Sequence, residues 1–425
     1  MNLIYSIIII CICVLSIIIM CFYIKKKRGF WVSQPVFHIY DIGYLLHLYS
    51  YGIINSCPPL LTDRYINNNN ITTIKINNLN DEHITFKDFH KFISNNYLSN
   101  KDIYFSPLRE NIEPYFIGHS ISSLLTVYLS NTYTQLTESQ STSVKTNQQI
   151  VSAITSRGVT VVLKDMPTFN AQYIDYLCVD KHKRCSGVAP QMIRTHYANQ
   201  RRILKTPEDD PSIVCVFKRE GDLTGIVPMC VYNCYGYENI NQWPRPKARL
   251  SYGTEIIKIT KDSYVKVRDF INTIKRDKLF NTIIHTDHTN ILELVKTGNL
   301  FIYARIKLGN ITDIYIFRKS CTFLSNNREI LSLIASIHNP LTSTPQFVLG
   351  FKLALFDIIT QTNNSNSKKA STFEILEIED ISHNNSIITH IQKIIPKSNI
   401  ESMSAYFFYN YAYPTVKSSN ALILL

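Results

Sequence analysis

Between Tyr176 and Pro190 the chain reads YLCVDKHKRCSGVAP. An apolar run stops at Val179, the basic residues Lys181, Lys183 and Arg184 follow, and a Cys-Ser-Gly turn leads to Ala189-Pro190. That order predicts a strand that ends, a loop whose backbone N–H groups can face one point, and a helix with Pro190 in its first turn. Such a junction is an anion seat, because a helix start offers free N–H groups and a positive dipole end.

The flanking pattern places this junction in an α/β chain. Upstream, SSLLTVYLS, QIVSAITS, GVTVVLKDM and AQYIDYLCV read as four β-branched or aromatic strands separated by polar turns. A helix from Pro190 through Arg202 and strands at SIVCVFK and TGIVPMCVYN follow. After a basic, Pro-containing crossover (NQWPRPKARL) and a helix at SYVKVRDFINTIKRDKLF, the alternation returns. Strands at NLFIYARIKL, NITDIYIFRK and ILSLIASIHN precede helices over QFVLGFKLALFDIITQ and SIITHIQKII, with STFEILEIED between them and AYFFYNYAY at the end. Two similar α/β units are expected, 25–240 and 241–425. Within 25–115, DEHITFKDFHKFISNNYL carries Ile84, Phe86, Phe89, Phe92 and Ile93 at helical spacing.

Residues Leu3–Ile24 form 22 consecutive positions without a charge, enough to cross a hydrocarbon core of about 30 Å. The run is longer than the roughly 7–15 residues of a signal-peptide core, no basic residue precedes it, and no small-residue cleavage site follows. We expect 1–24 to be a single-pass transmembrane anchor. Lys25, Lys26, Lys27 and Arg28 flank its C-terminal side, which places the remainder in the cytoplasm.

With 45% hydrophobic residues in 425, the chain is not a disordered one. A net charge of +12 attracts phosphates, acidic cofactors, nucleic acid or an anionic membrane without choosing among them. Ten cysteines at irregular spacing, three of them in the apolar run, argue for a reducing compartment. Scarce glycine and the Asn67–Asn70 run read as the coding bias of an AT-rich genome.

The residues resemble one family. Asp175-Tyr-Leu-Cys-Val-Asp180 followed by Arg184-Cys-Ser-Gly-Val-Ala-Pro190 is similar to the central signature of the N-myristoyltransferases, a branch of the acetyltransferase-like superfamily. Phe30-Trp31-x-x-Gln34-Pro35-Val36 looks like that family's acyl-CoA-covering segment. Further similarities keep their order: ISNNYL with FSP at 105–107, SAITSRGVTVV, ASIHN at 335–339, AYFFYNYAYP at 405–414, and a closing ALILL. The resemblance spans about 30–425.

It implies two acetyltransferase-like units in one saddle-shaped mixed sheet, acting as a monomer. The implied reaction is transfer of a myristoyl group from myristoyl-CoA, a co-substrate, to the N-terminal glycine amine of a protein. By resemblance, the N–H groups of Tyr176 and Leu177 hold the oxyanion and the terminal carboxylate of Leu425 is the base. Implied cofactor contacts are Arg28, Gly29, Phe30, Trp31, Cys178, Val179, Arg184, Cys185, Ser186, Gly187, Val188 and Ala189, with Lys181, His182, Lys183 and Arg194 adding charge. Implied substrate contacts are Tyr97, Phe105, Thr224, Gly225, Ser336, Asn339 and Glu401.

Four departures stand out. Ser186-Gly187 replaces a Lys-Arg pair, the acidic run after Tyr97 is missing, Tyr232–Asn241 holds no His, and Ile400-Glu401-Ser402 replaces Gly-Asp-Gly. An alternative is therefore an inactive anchored homologue that binds acyl-CoA or a protein partner. Nucleic-acid binding has only the short Pro244-Arg-Pro-Lys-Ala-Arg249 patch and is not expected. His285-Thr-Asp-His288 lacks a third ligand cluster and reads as a polar loop, so no metal is expected. Gly118-His-Ser120 lacks the closing glycine of a nucleophile elbow.

Overall fold

The computed structural model describes residues 2–27, 29–60, 62–77, 84–98, 103–138, 141–204, 213–221, 225–324, 328–340, 342–364, 373–395, 398 and 400–425. One mixed sheet organises them. From one edge its main path runs through Ala421–Leu424, Thr282–His285, Ser141–Leu163, Phe169–Val179, Cys215–Glu220, Ile400–Tyr409, Cys230–Glu238, Phe373–Glu379, Arg328–His338, Asn310–Leu324, Leu300–Lys307 and Thr254–Lys258, and Ile71–Lys75, Ile103–Phe105, Leu124–Glu138 and Val416–Lys417 pair off that path. The fold is thus mixed α/β, and the sheet runs on across residue 240. Ile400–Tyr409 lies between Cys215–Glu220 and Cys230–Glu238, antiparallel to both.

Alternating side chains explain how the sheet is covered on both faces. Ile314 and Ile316 pack with Val267 and Ile271 of the helix Tyr264–Arg276. Their neighbours Tyr315 and Phe317 point the other way, onto Phe347 and Phe351 of the helix Thr344–Asn364. The helix Phe86–Asn96 starts at a Thr85–Asp88 capping box and buries Phe86, Phe89, Phe92 and Ile93, the spacing read from the sequence.

Three expectations need correction. QIVSAITS and GVTVVLKDM form one strand, Ser141–Leu163. The polar residues between them do not turn, because Ser156 and Arg157 are buried and Arg157 is held by aromatic rings. His285 and His288 are not in a polar loop: His285 ends a strand, buried, and His288 opens the helix His288–Lys296. The last aromatic strand breaks at Asn410, whose φ of 65° starts a turn that its side chain fixes by accepting the Asn55 N–H.

The helix Asn2–Lys27 is about 39 Å long at 1.5 Å per residue. Among the described residues it is the one helix long and apolar enough to cross a membrane, over Ile4–Tyr23, and none of that span is buried in the protein.

Candidate functional site

The strands Phe169–Val179 and Cys215–Glu220 pair in parallel at only three positions, Gln172↔Cys215, Tyr173↔Val216 and Ile174↔Phe217. Beyond Ile174 they part. On the other edge, the register with Ser141–Leu163 slips between Ala153↔Cys178 and Thr155↔Asp175. Tyr176 and Leu177 therefore oppose Ile154 alone, a β-bulge that takes backbone groups out of the ladder at the mouth of the gap. Tyr176 sits at φ 48°, a conformation uncommon for a bulky residue. Its ring is held by Phe89, Tyr97, Phe105 and Phe116, all with centroids within 6.2 Å.

A cavity of about 690 Å³ fills the gap between the parted strands. Part of its lining is apolar, including Trp31, Ile174, Ile193 and Phe217, with Trp31 stacked on Phe217. Other lining residues are charged. Arg157, almost fully buried, lies over the Tyr115 and Tyr173 rings and 3.9 Å from Asp175. Lys218 pairs with Glu220 at 2.9 Å and Glu379 at 3.1 Å. Burial alone would lower the Lys218 pKa, but those carboxylates carry it well above the usual lysine value. Glu377 accepts from Ser332 Oγ at 2.7 Å, and burial raises its pKa.

The junction after Val179 takes the expected form. His182 N–H donates to Asp180 Oδ1 at 2.8 Å, Ser186 Oγ donates to the Lys183 carbonyl, and Gly187 at φ 80° begins the helix Val188–Ile203. Lys181, His182, Lys183, Cys185 and Ser186 are exposed, while Val188 and Ala189 begin the helix partly buried. Arg184 turns back to donate to the carbonyls of Asn96 at 2.8 Å and Val179 at 3.4 Å, tying the loop to the end of Phe86–Asn96. Arg194 donates to Asp63 at 2.7 Å and to Gln34 and Tyr409, so it fastens the chain around residue 34.

The cavity brings together Trp31, Tyr97, Phe105, Tyr176 and Leu177. Phe30 packs edge-on against Trp31 and Tyr65, one residue after the half-buried Gly29. Cys178 is buried beside Val179 at the strand end, its thiol pushed up to about 12 by burial. Other predicted residues lie elsewhere. Gly225 accepts from Ile39 N–H at 2.9 Å, Ser336 donates to Asn384 at 2.6 Å, and Asn339 N–H donates to Asp313 at 3.2 Å. Glu401 is exposed between Ile400 and Ser402, which do line the cavity. Leu425 is buried behind the wall, its main-chain oxygen accepting from Arg318 Nη1 at 3.3 Å. Arg28 and Thr224 lie outside the described residues. Sequence reading missed Arg157, Asp175, Lys218, Arg318 and Glu377, because ordinary charged residues in strands give no sign of facing a shared gap.

Two solved structures of Saccharomyces cerevisiae N-myristoyltransferase share this fold. One, with bound myristoyl-CoA, is 14% identical with a TM-score of 0.62, covering 93% of this chain and 91% of that one. Another, with myristoyl-CoA and inhibitors, is 14% identical with a TM-score of 0.63, covering 92% and 91%. No family model and no curated protein matches the sequence.

Proposed function

We propose that this protein is an acyltransferase that moves a myristoyl group from myristoyl-CoA to the N-terminal glycine amine of protein substrates. The single observation that carries this reading is the coincidence of the Tyr176–Leu177 bulge with the parting of the strands, one loop before the Gly187 helix start. In this reading the loop seats the CoA phosphates on the first-turn N–H groups and the cations Lys181 and Lys183. The thioester carbonyl faces the bulge, where its oxygen accepts from the Leu177 and Tyr176 N–H groups as negative charge develops. The amine approaches past the charged lining residues. Its nitrogen gives up a proton to a base as it bonds to the carbonyl carbon, and the carbon–sulfur bond then breaks, its electron pair leaving with CoA as the thiolate. The proposed base is the Leu425 carboxylate, with Arg318 linking it to the cavity wall. The helix Asn2–Lys27 would hold the domain on the cytoplasmic side of a membrane.

A second reading has its own observation. Tyr176 N–H already donates to Asp175 Oδ1 at 2.8 Å, and Leu425 does not line the cavity. Both features suit an anchored homologue that binds acyl-CoA without turnover.

The test is transfer from radiolabelled myristoyl-CoA to Gly-initiated peptides by the full chain in detergent, with and without one residue appended to Leu425. Transfer that the extra residue abolishes supports the enzyme. Binding of myristoyl-CoA without transfer in either form supports the second reading, and no binding overturns both.

A further inference from the structure

The chain after Val36 turns five aliphatic side chains to the outside within ten residues. Ile39, Ile42, Leu45, Leu46 and Leu48 are each 59–73% exposed, and no Asp, Glu, Lys or Arg occurs between Asp41 and Asp63. Beyond residue 60 the exposed large hydrophobics among the described residues are spread singly along the chain, as at Leu98, Leu108 and Ile117, which is ordinary for a protein surface. A concentrated, uncharged apolar run marks a contact surface instead.

The run is held in place. His38 bridges Ile226 and Ile39 N–H donates to the Gly225 carbonyl at 2.9 Å at its start, and Gly52 and Ile53 pair with Ala412 and Tyr411 at its end. Between these points the rings of Phe37, Tyr44 and Tyr49 pack together with centroids 5.0–5.5 Å apart, and Tyr51 packs on Tyr413. The aromatic side chains therefore brace the segment while the aliphatic ones stay outside. The N–H groups of Tyr44, Leu45, Leu46, His47 and Leu48 all donate to carbonyls of residues 41–44. Satisfied backbone groups are what an apolar medium demands of a segment that enters it.

Position along the chain identifies that medium. The span Ile4–Tyr23 ends seven residues before Phe30, whose ring already packs on Trp31 and Tyr65. Seven residues reach at most about 25 Å. Trp31, Val36 and Ile226 share one hydrophobic cluster, so the end of this tether and the start of the apolar run lie on the same part of the domain.

We propose that Ile39–Leu48 docks into the lipid bilayer that holds the N-terminal helix, with its aliphatic side chains in the acyl region and its tyrosines at headgroup depth. The proposal rests on the membrane helix proposed above and adds a second lipid contact. A single tether leaves a domain free to turn over the membrane, whereas two contacts fix the face it presents.

The test places the full chain in phosphatidylcholine vesicles containing a lipid with a photoactivatable group in its acyl chain, and maps crosslinked peptides by mass spectrometry. We expect lipid adducts in two stretches, 4–23 and 39–48. Leu45→Ser, Leu46→Ser and Leu48→Ser combined should reduce the second set about tenfold or more and leave the first unchanged, with the melting midpoint of the domain confirming its fold. If the triple variant fails to fold, Leu46→Ser and Leu48→Ser singly decide. Adducts confined to 4–23, adducts at 39–48 that survive the substitutions, or crosslinking of 39–48 to a second copy instead of lipid would each overturn the docking and leave the anchor standing. Adducts in neither stretch would overturn both.

Discussion

Two strand–helix–strand crossovers sit in this one sheet, and they are built differently. In the first, Phe169–Val179 and Cys215–Glu220 keep three paired positions around the helix Val188–Ile203 and then part over the cavity. In the second, Arg328–His338 and Phe373–Glu379 keep five around the helix Thr344–Asn364. The second helix is packed flat on the sheet: Phe347, Phe351 and Ala354 are fully buried, and Tyr315 Oη donates to the Phe347 carbonyl at 2.6 Å. Each crossover uses a glycine for a different purpose. A Cβ on Gly350 would stand 2.4 Å from Tyr315 Oη, so that glycine makes room for close packing. A Cβ on Gly187 would meet nothing within 4 Å, but its φ of 80° is one that glycine adopts freely. The same connection can therefore be closed by packing or opened over a cavity, and the opening brings the bulge and buried charge into one place.

The sharpest way to break this contrast is to empty the closed crossover. Phe351→Ala should cost about 3–5 kcal/mol, read by denaturant unfolding, and leave acyl-CoA binding by the remaining folded fraction unchanged. A matching loss of affinity would show that the two crossovers are not separable.

Next in size is a pH effect shared by both. Burial lowers the pKa of His196 in the open crossover to about 3 and that of His383, just after the closed one, to about 4. Each ring is neutral in the native state, so the unfolded chain binds the extra proton and stability falls as pH drops below 6.5. At pH 5 each site contributes a loss of about 2 kcal/mol. His196→Leu and His383→Leu should each flatten the fall between pH 7.5 and pH 5 in thermal unfolding, and an unchanged slope would refute the buried neutral ring.

The two glycines separate folding from binding. Gly350→Ala should destabilise by about 1–3 kcal/mol through overpacking on Tyr315. Gly187→Ala should cost about 1–2 kcal/mol for its positive φ and also weaken acyl-CoA binding in calorimetric titration. Equal loss of binding in both variants would remove the distinction.

The smallest expected change is at Glu377. Its raised pKa means that the native state disfavours the carboxylate, so its contribution to stability is present below the ordinary glutamate value and lost as pH rises through the raised one. Glu377→Gln should raise the melting midpoint at pH 7.5 and change it less at pH 4. A larger gain at pH 4 would reverse the assignment.

The junction from Tyr176 to Pro190 was legible because its signals are local. Strand propensity, a glycine before a helix and a proline in the first turn act over a few residues, and the strand end, the Gly187 start and the helix Val188–Ile203 followed. The apolar run at 3–24, the helix Phe86–Asn96 and the strand alternation after 300 were legible for the same reason, since periodicity is a property of neighbours. The turn expected near Arg157 was wrong because a polar residue that looks like a break was buried against Tyr115, Tyr173 and Asp175, partners contributed by other segments. Which strands part was invisible in the sequence. The neighbour of Cys215–Glu220 on its other side, Ile400–Tyr409, comes from about 185–195 residues away, and the bulge arises from a register slip opposite Ile154. The sequence by itself determined most of the elements, including the strand–loop–helix junction at Gly187. Tertiary structure decided where the sheet opens and which charges face the gap, because hydrogen-bond register and burial are set by residues far apart along the chain.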